Sequence, residues 1–127
     1  AATDFEEYRE VNELILQGRK LGSDVLLAEA KDSKCYDTVV ISKAADAMLA
    51  MSGIEASFVL AKNTQGFISI SARSRSKLNV QRIMEELGGG GHFNLAAAQI
   101  KDLSLSEAGE KLTEIVLNEI KEKEKEE

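Results

Sequence analysis

The residues of this chain that could do chemistry gather in one stretch, Gly88-Gly89-Gly90-Gly91-His92, which holds four consecutive glycines and the only histidine. Each ordered glycine gives up more backbone entropy than any other residue, so a run of four needs a physical reason. One such reason is anion binding. Glycines reach backbone angles closed to other residues, and successive N–H groups can then point into a single concavity. Upstream, Arg73, Arg75, Lys77 and Arg82 are balanced only by Glu85 and Glu86, a local surplus of two positive charges on a chain of net charge −6. A guanidinium can grip a phosphate through two parallel N–H bonds. Arg73 and Ser74 are therefore the candidate partners of Gly89, Gly90, Gly91 and His92 in a phosphate site. The competing structural readings are a flexible connector after a helix, a solvated turn at Arg73–Lys77 and a helix-capping role for His92.

Other chemistries find little support. A dinucleotide fingerprint requires G-x-G-x-x-G directly after a strand, and here a helical pattern precedes the glycines. A P-loop requires Gly-Lys-Ser/Thr, and His92 follows Gly91. One histidine and one cysteine, Cys35, build no usual metal cluster and no disulfide. The carboxylates lie at helix starts and on solvated faces, and no nucleophile–base arrangement stands out. The reading is a domain that binds and lacks the groups that cleave, with no catalytic residue and no metal ligand.

The elements that must position these residues follow from the pattern. Thr3 or Asp4 caps a first helix carrying Tyr8, Val11, Leu14, Ile15 and Leu21, which Gly22 stops. Residues 24–30 read as a short buried strand. Asp37 caps a second helix with Val40, Ala44, Ala45, Met48 and Leu49, ending at Ser52-Gly53. Residues 56–62 and 67–73 form a hairpin around Asn63-Thr64-Gln65-Gly66. In its second arm Ile68, Ile70 and Ala72 alternate with Ser69, Ser71 and Arg73, so one face is buried and the other is polar or faces a cleft. Asn79 caps a third helix bearing Val80, Ile83, Met84 and Leu87, and Gly88 closes it. The alanine-rich run Phe93–Ala98 reads as a further helix, whose N-terminus would add unpaired N–H groups and a positive dipole to the phosphate site. A short strand follows around 99–101. Ser104-Leu105-Ser106-Glu107 is a capping box for the last helix, which points Leu105, Ala108, Leu112, Ile115, Val116 and Ile120 inward. Its tail, residues 121–127, has no apolar stripe and reads as a solvated, fraying end. The fold class expected is α/β (α+β): a small mixed sheet of four to five strands covered by helices.

At 127 residues the chain suits one domain, 1–127, led by a helix over 1–22. Hydrophobic residues make up 43% and charged residues 30%, an ordinary globular composition. The acidic balance argues against an extended nucleic-acid surface and leaves room for a small anion held locally. The lone cysteine fits a reducing, cytosolic setting, and no apolar run is long enough to cross a bilayer. The start Ala1-Ala2-Thr3, without Met, suggests a segment of a longer protein.

Gly88–His92 followed by Ala96-Ala97 resembles the DHH-associated domain, the substrate-binding half of DHH phosphoesterases, whose hallmark is a G-G-G-H loop followed by small residues. Ser71-Ala72-Arg73-Ser74 resembles the S-x-R-S strand end of that family, and the Asn79–Met84 helix fits as well. The best match is the branch of membrane-anchored cyclic-di-AMP phosphodiesterases. The resemblance covers nearly the whole chain and is least specific over the first helix. It implies a preceding DHH domain in the same polypeptide, whose aspartates and histidines hold two manganese ions that activate water. No D-H-H run occurs here, so this segment would be inactive alone and would carry no cofactor of its own. Carried over by position, Gly89, Gly90, Gly91 and His92 hold phosphate, with Arg73 and Ser74 opposite. The implied partners are a cyclic dinucleotide or short oligonucleotide, the DHH domain and a second copy of the chain. The implied place is a cytoplasmic domain of a protein anchored to the bacterial membrane. Ala98 departs from the pattern, since many relatives have glycine there, and this bears on the packing of the Ala96–Ala98 turn. The alternatives are the binding half of an oligoribonuclease or adenosine-bisphosphate phosphatase, and a non-catalytic RNA-binding module like the one ending an alanyl-tRNA synthetase.

Overall fold

The computed structural model describes residues 4–126. Its elements in order are α1 (Phe5–Ile15), β1 (Gly18–Leu21), β2 (Val25–Glu29), β3 (Cys35–Tyr36), α2 (Thr38–Leu49), β4 (Ala56–Asn63), β5 (Ile68–Ser74), α3 (Val80–Glu85), β6 (Gly90–Gly91), β7 (Leu95–Ile100) and α4 (Leu105–Glu126). Seven strands form one mixed sheet in the order β1-β2-β4-β5-β7-β6, with β3 beside the end of β4. The β2–β4 and β3–β4 pairs are parallel, and the other pairs are antiparallel. The α/β class expected from the sequence holds, with more strands than the expected four to five.

Local signals set most of the helix ends. Asp4 accepts from the Glu7 amide at 2.7 Å and caps α1, while Thr3 lies outside the described residues. Asp37 caps α2 through the Val39 amide, and Asn79 caps α3 through the Arg82 amide. Ser104 and Glu107 bond reciprocally, at 2.9 and 3.0 Å, as a capping box at the head of α4. The last helix keeps its form to Glu126 rather than fraying at Lys121, although that end is largely exposed.

Two layers cover the sheet. On one face Leu27, Phe58, Leu60, Ile70, Ala96 and Ala98 pack beneath Ile83 and Met84 of α3 and Leu112 and Val116 of α4. On the other face Ala28, Val59 and Ala61 pack beneath Leu14 of α1 and Val40, Ile41, Ala44 and Met48 of α2. Each large aliphatic side chain sealed this way contributes about 1.5–3 kcal/mol.

Two helical expectations are corrected. The leading helix stops at Ile15, and Gly18–Leu21, expected to continue it to Gly22, pairs with β2 as the edge strand β1. Gly22 (φ +67°) makes the turn between them. The Phe93–Ala98 run is a turn at Phe93-Asn94 followed by a strand, not a helix. The residues from Leu95 to Ile100 ladder with β5 on one side, and Ala96 and Ala97 with β6 on the other. Alanine's helix preference, a few tenths of a kcal/mol per residue, loses to a ladder satisfied on both edges and to burial of Ala96 and Ala98.

A bare half-face of the sheet as candidate functional site

The helices α1 and α2 cover only part of their face of the sheet. Packing of α2 is against β4 and β5, and among the described residues no helix packs extensively on the same face of β7 and β6. Leu95, Ala97, Gln99 and His92 are exposed there. Opposed residues of an antiparallel pair put their side chains on one face. Two cross-strand rows therefore lie on this ledge. One is Arg73, Leu95 and His92; Arg73 stands opposite Leu95, which exchanges backbone hydrogen bonds with His92 at 2.8 and 3.4 Å. The other is Ser71, Ala97 and Gly90. With strands about 4.8 Å apart, the ledge is about 10 Å wide from β5 to β6.

Arg73 borders the ledge under α2. Its side chain is only 8% exposed. The Nε–H donates to Asp46 Oδ1 at 2.7 Å, Nη2 donates to Ser42 Oγ at 2.6 Å, and Nη1 donates to the Ala72 carbonyl at 3.0 Å. Three of the five N–H donors are thus engaged, leaving two. Ser69, Ser71 and Arg73, on the face read as polar or facing a cleft, all prove buried, because α2 lies over β5.

The glycine run meets two structural needs, and one of its members meets neither. Gly88 (φ +84°) is the left-handed residue that ends α3. Gly89 and Gly91 are demanded by close approach: a Cβ on Gly89 would stand 2.1 Å from the Ala97 carbonyl oxygen, and one on Gly91 2.5 Å from that of Leu95. A Cβ on Gly90 meets nothing within 4 Å. Its bareness has no steric cause inside the protein. The amides do not converge as the sequence suggested. Those of Gly88, Gly89 and His92 donate to the carbonyls of Glu85, Met84 and Leu95. Since His92–Leu95 is the hydrogen-bonded kind of pair, the ladder alternates so that Gly91 turns its N–H outward from the sheet edge. The helix dipole expected after the run is absent, because β7 follows.

Ser74 and Asn94 tie the His92–Leu95 turn to the end of β5. Ser74 is buried, its amide donates to Asn94 O at 3.0 Å and its hydroxyl donates to Phe93 O at 3.1 Å. Asn94 Nδ2 donates to the carbonyls of Ser74 (3.1 Å) and Arg75 (2.6 Å). The structure thus brings Arg73, Ser74, Gly90, Gly91 and His92 to one end of the sheet, with the Ser74 hydroxyl turned to the turn rather than the ledge.

The basic turn is mostly committed to the fold. Arg75 donates to the Ile54 and Leu49 carbonyls at 2.9 and 2.7 Å, closing the end of α2. Arg82 approaches Glu119 at 3.9 Å. Buried Glu55 accepts from the Lys77 and Leu78 amides at 2.9 and 3.0 Å and so shapes the turn between β5 and α3. Sequence reasoning missed Ser42, Asp46, Glu55 and Asn94. Ser42 and Asp46 did leave a trace, as polar residues one helical turn apart on α2. Among the described residues no group of three histidines, cysteines or carboxylates could hold a metal ion, and no helix is long and apolar enough to cross a membrane. Among the described residues, the two manganese ions implied for a DHH phosphoesterase find no fitting ligand set.

The chain is 45% identical over 92 residues to the cyclic-di-AMP phosphodiesterase GdpP of Geobacillus thermodenitrificans, a match covering 72% of the chain and 14% of that protein. It is 46% identical over 86 residues to the cyclic-di-AMP phosphodiesterase PdeA of Listeria monocytogenes, covering 68% of the chain and 13% of that protein. The chain thus spans about one seventh of the length of these relatives. An exopolyphosphatase-related protein from Bacteroides fragilis shares the fold, with a TM-score of 0.72 at 18% identity over 89% of the chain and 35% of that structure. The family model of the DHHA1 domain matches residues 22–123, all of the fold beyond α1 and β1 except the last residues of α4, and the chain belongs to this family of DHH phosphoesterase domains.

Proposed function

We propose that this chain is the substrate-binding domain of a phosphodiesterase that hydrolyses cyclic-di-AMP to linear pApA. The bare half-face carries this reading. It sets a guanidinium with two uncommitted donors at one margin, an exposed imidazole at the other and an unshielded glycine between. Arg73 and His92 hold phosphate oxygens, the Gly91 amide adds a donor at the sheet edge, and Gly90 lets the nucleotide approach the backbone. Ser74 and Gly89 act beneath, holding the turn in place. Each charge-assisted bond is worth about 1.5–3 kcal/mol net. The half that cuts is a preceding DHH domain of the same membrane-anchored polypeptide, and its manganese ions supply the activated water. The branch reading rests on the two cyclic-di-AMP phosphodiesterases at 45 and 46% identity.

Isothermal calorimetry with pApA and with cyclic-di-AMP tests the reading. The expected result is salt-sensitive binding that Arg73→Ala and His92→Ala each weaken at least about tenfold. Affinities unchanged by both substitutions overturn it.

A further inference from the structure

One polar group at the ledge is unexplained by the fold. Ser71 is only 8% exposed, yet its hydroxyl has no hydrogen-bond partner among the described residues. No side-chain polar atom among the described residues is both sealed from solvent and unpartnered, so the Ser71 Oγ opens to the surface. The alternation of β5 places it on the Arg73 side of the sheet, away from the core that holds Ile70 and Ala72. Across the row stand Ala97 and Gly90, so beside the hydroxyl the floor carries no atom beyond Cβ. A mostly buried hydroxyl that no group of the described residues engages keeps its donor and its acceptor free for a ligand.

We infer that Ser71 is a specificity residue that hydrogen-bonds a ribose hydroxyl of the bound nucleotide, with the sugar ring seated flat on Ala97 and Gly90. The inference rests on the reading given under Proposed function. Ser71 lies two residues before Arg73 on the same face, about 7 Å along the strand. The covalent neighbour of any phosphate held at Arg73 is a sugar. A sugar hydroxyl both donates and accepts, as a serine hydroxyl does, whereas the edge of a nucleobase carries several donors and acceptors and would meet only one group here. The ligand class is therefore a ribonucleotide in preference to a deoxyribonucleotide, since the 2′-hydroxyl is what separates the two at a single contact.

The test compares pApA with its all-deoxy counterpart by calorimetry, on the parent chain, Ser71→Ala and Arg73→Ala. The parent is expected to favour the ribonucleotide about five- to tenfold, and Ser71→Ala to erase that preference with an unchanged thermal midpoint. A parent that binds both equally, or a Ser71→Ala variant that keeps the preference, overturns the inference. If Arg73→Ala still abolishes pApA binding in that case, the phosphate reading stands without it. A parent that takes up neither nucleotide overturns both.

Discussion

Arg73 and Asp46 meet across the boundary of β5 and α2, with Nε donating to Oδ1 at 2.7 Å, and the guanidinium is 8% exposed while the carboxylate is 61% exposed. The carboxylate is the exposed partner of a buried cation. It holds the guanidinium in place and occupies one of the donors that a phosphate could take. The two effects separate in Asp46→Asn. The amide oxygen still accepts from Nε but no longer offsets the buried charge, so stability falls by about 1–2 kcal/mol. Affinity for pApA rises severalfold, because an anion no longer meets a competing carboxylate. Urea unfolding and calorimetry on the same variant measure both.

The four glycines separate by substitution. Gly89→Ala and Gly91→Ala drive a methyl into backbone oxygens at 2.1 and 2.5 Å and are expected to lose more than about 3 kcal/mol, enough to unfold β6 from β7. Gly90→Ala finds open space and changes stability by no more than about 0.5–1 kcal/mol, yet weakens nucleotide binding by raising the ledge floor. Thermal midpoints followed by calorimetry give the two readouts.

Asn94 fastens the turn that carries His92. Asn94→Ala removes the bonds to the Ser74 and Arg75 carbonyls and is expected to cost about 1–3 kcal/mol. Faster hydrogen exchange at the His92 and Leu95 amides than in the parent is the local signature.

The packing of α1 predicts an alkaline transition. Tyr36 donates its hydroxyl to Glu13 Oε1 at 2.8 Å, and Lys34 Nζ donates to the same oxygen at 2.9 Å. Burial first, and the Glu13 bond second, push the Tyr36 hydroxyl up from 10.0 to about 12. The folded chain holds this proton more tightly than the unfolded one. The stabilisation is therefore complete below pH 10 and is lost as pH rises toward 12. The bond to Glu13 likewise raises Lys34, whose contribution fades in the alkaline range above its ordinary 10.5. Lys34, then Tyr36, hold Glu13 below the usual carboxylate value, and that contribution fades in acid. Tyr36→Phe is expected to cost about 1 kcal/mol at neutral pH and to flatten the loss of stability between pH 10 and 12. Chemical unfolding at stepped pH checks both.

Where structure is made by neighbours in sequence, it was legible. The caps at Asp37 and Asn79, the box at Ser104 and Glu107, and the β4–β5 hairpin around Asn63 to Gly66 are all short-range devices. The misread segments have patterns that local propensity resolves wrongly. Gly18–Leu21 has three exposed residues and no alternation, and only pairing with β2 makes it a strand. The alanines of β7 favour a helix until β5 and β6 flank them.

By itself the sequence determined the family. A run of glycines closed by one histidine, and an arginine at a strand end, are local features that need no fold to be seen. Only the tertiary structure decided how those residues are used. Asp46 lies 27 residues from Arg73 and Asn94 lies 20 from Ser74, and such pairs come together only through the sheet order. The sharing of amides between ladder and open edge, and the half-face that α2 leaves bare, likewise follow from packing between distant segments, which no local pattern encodes.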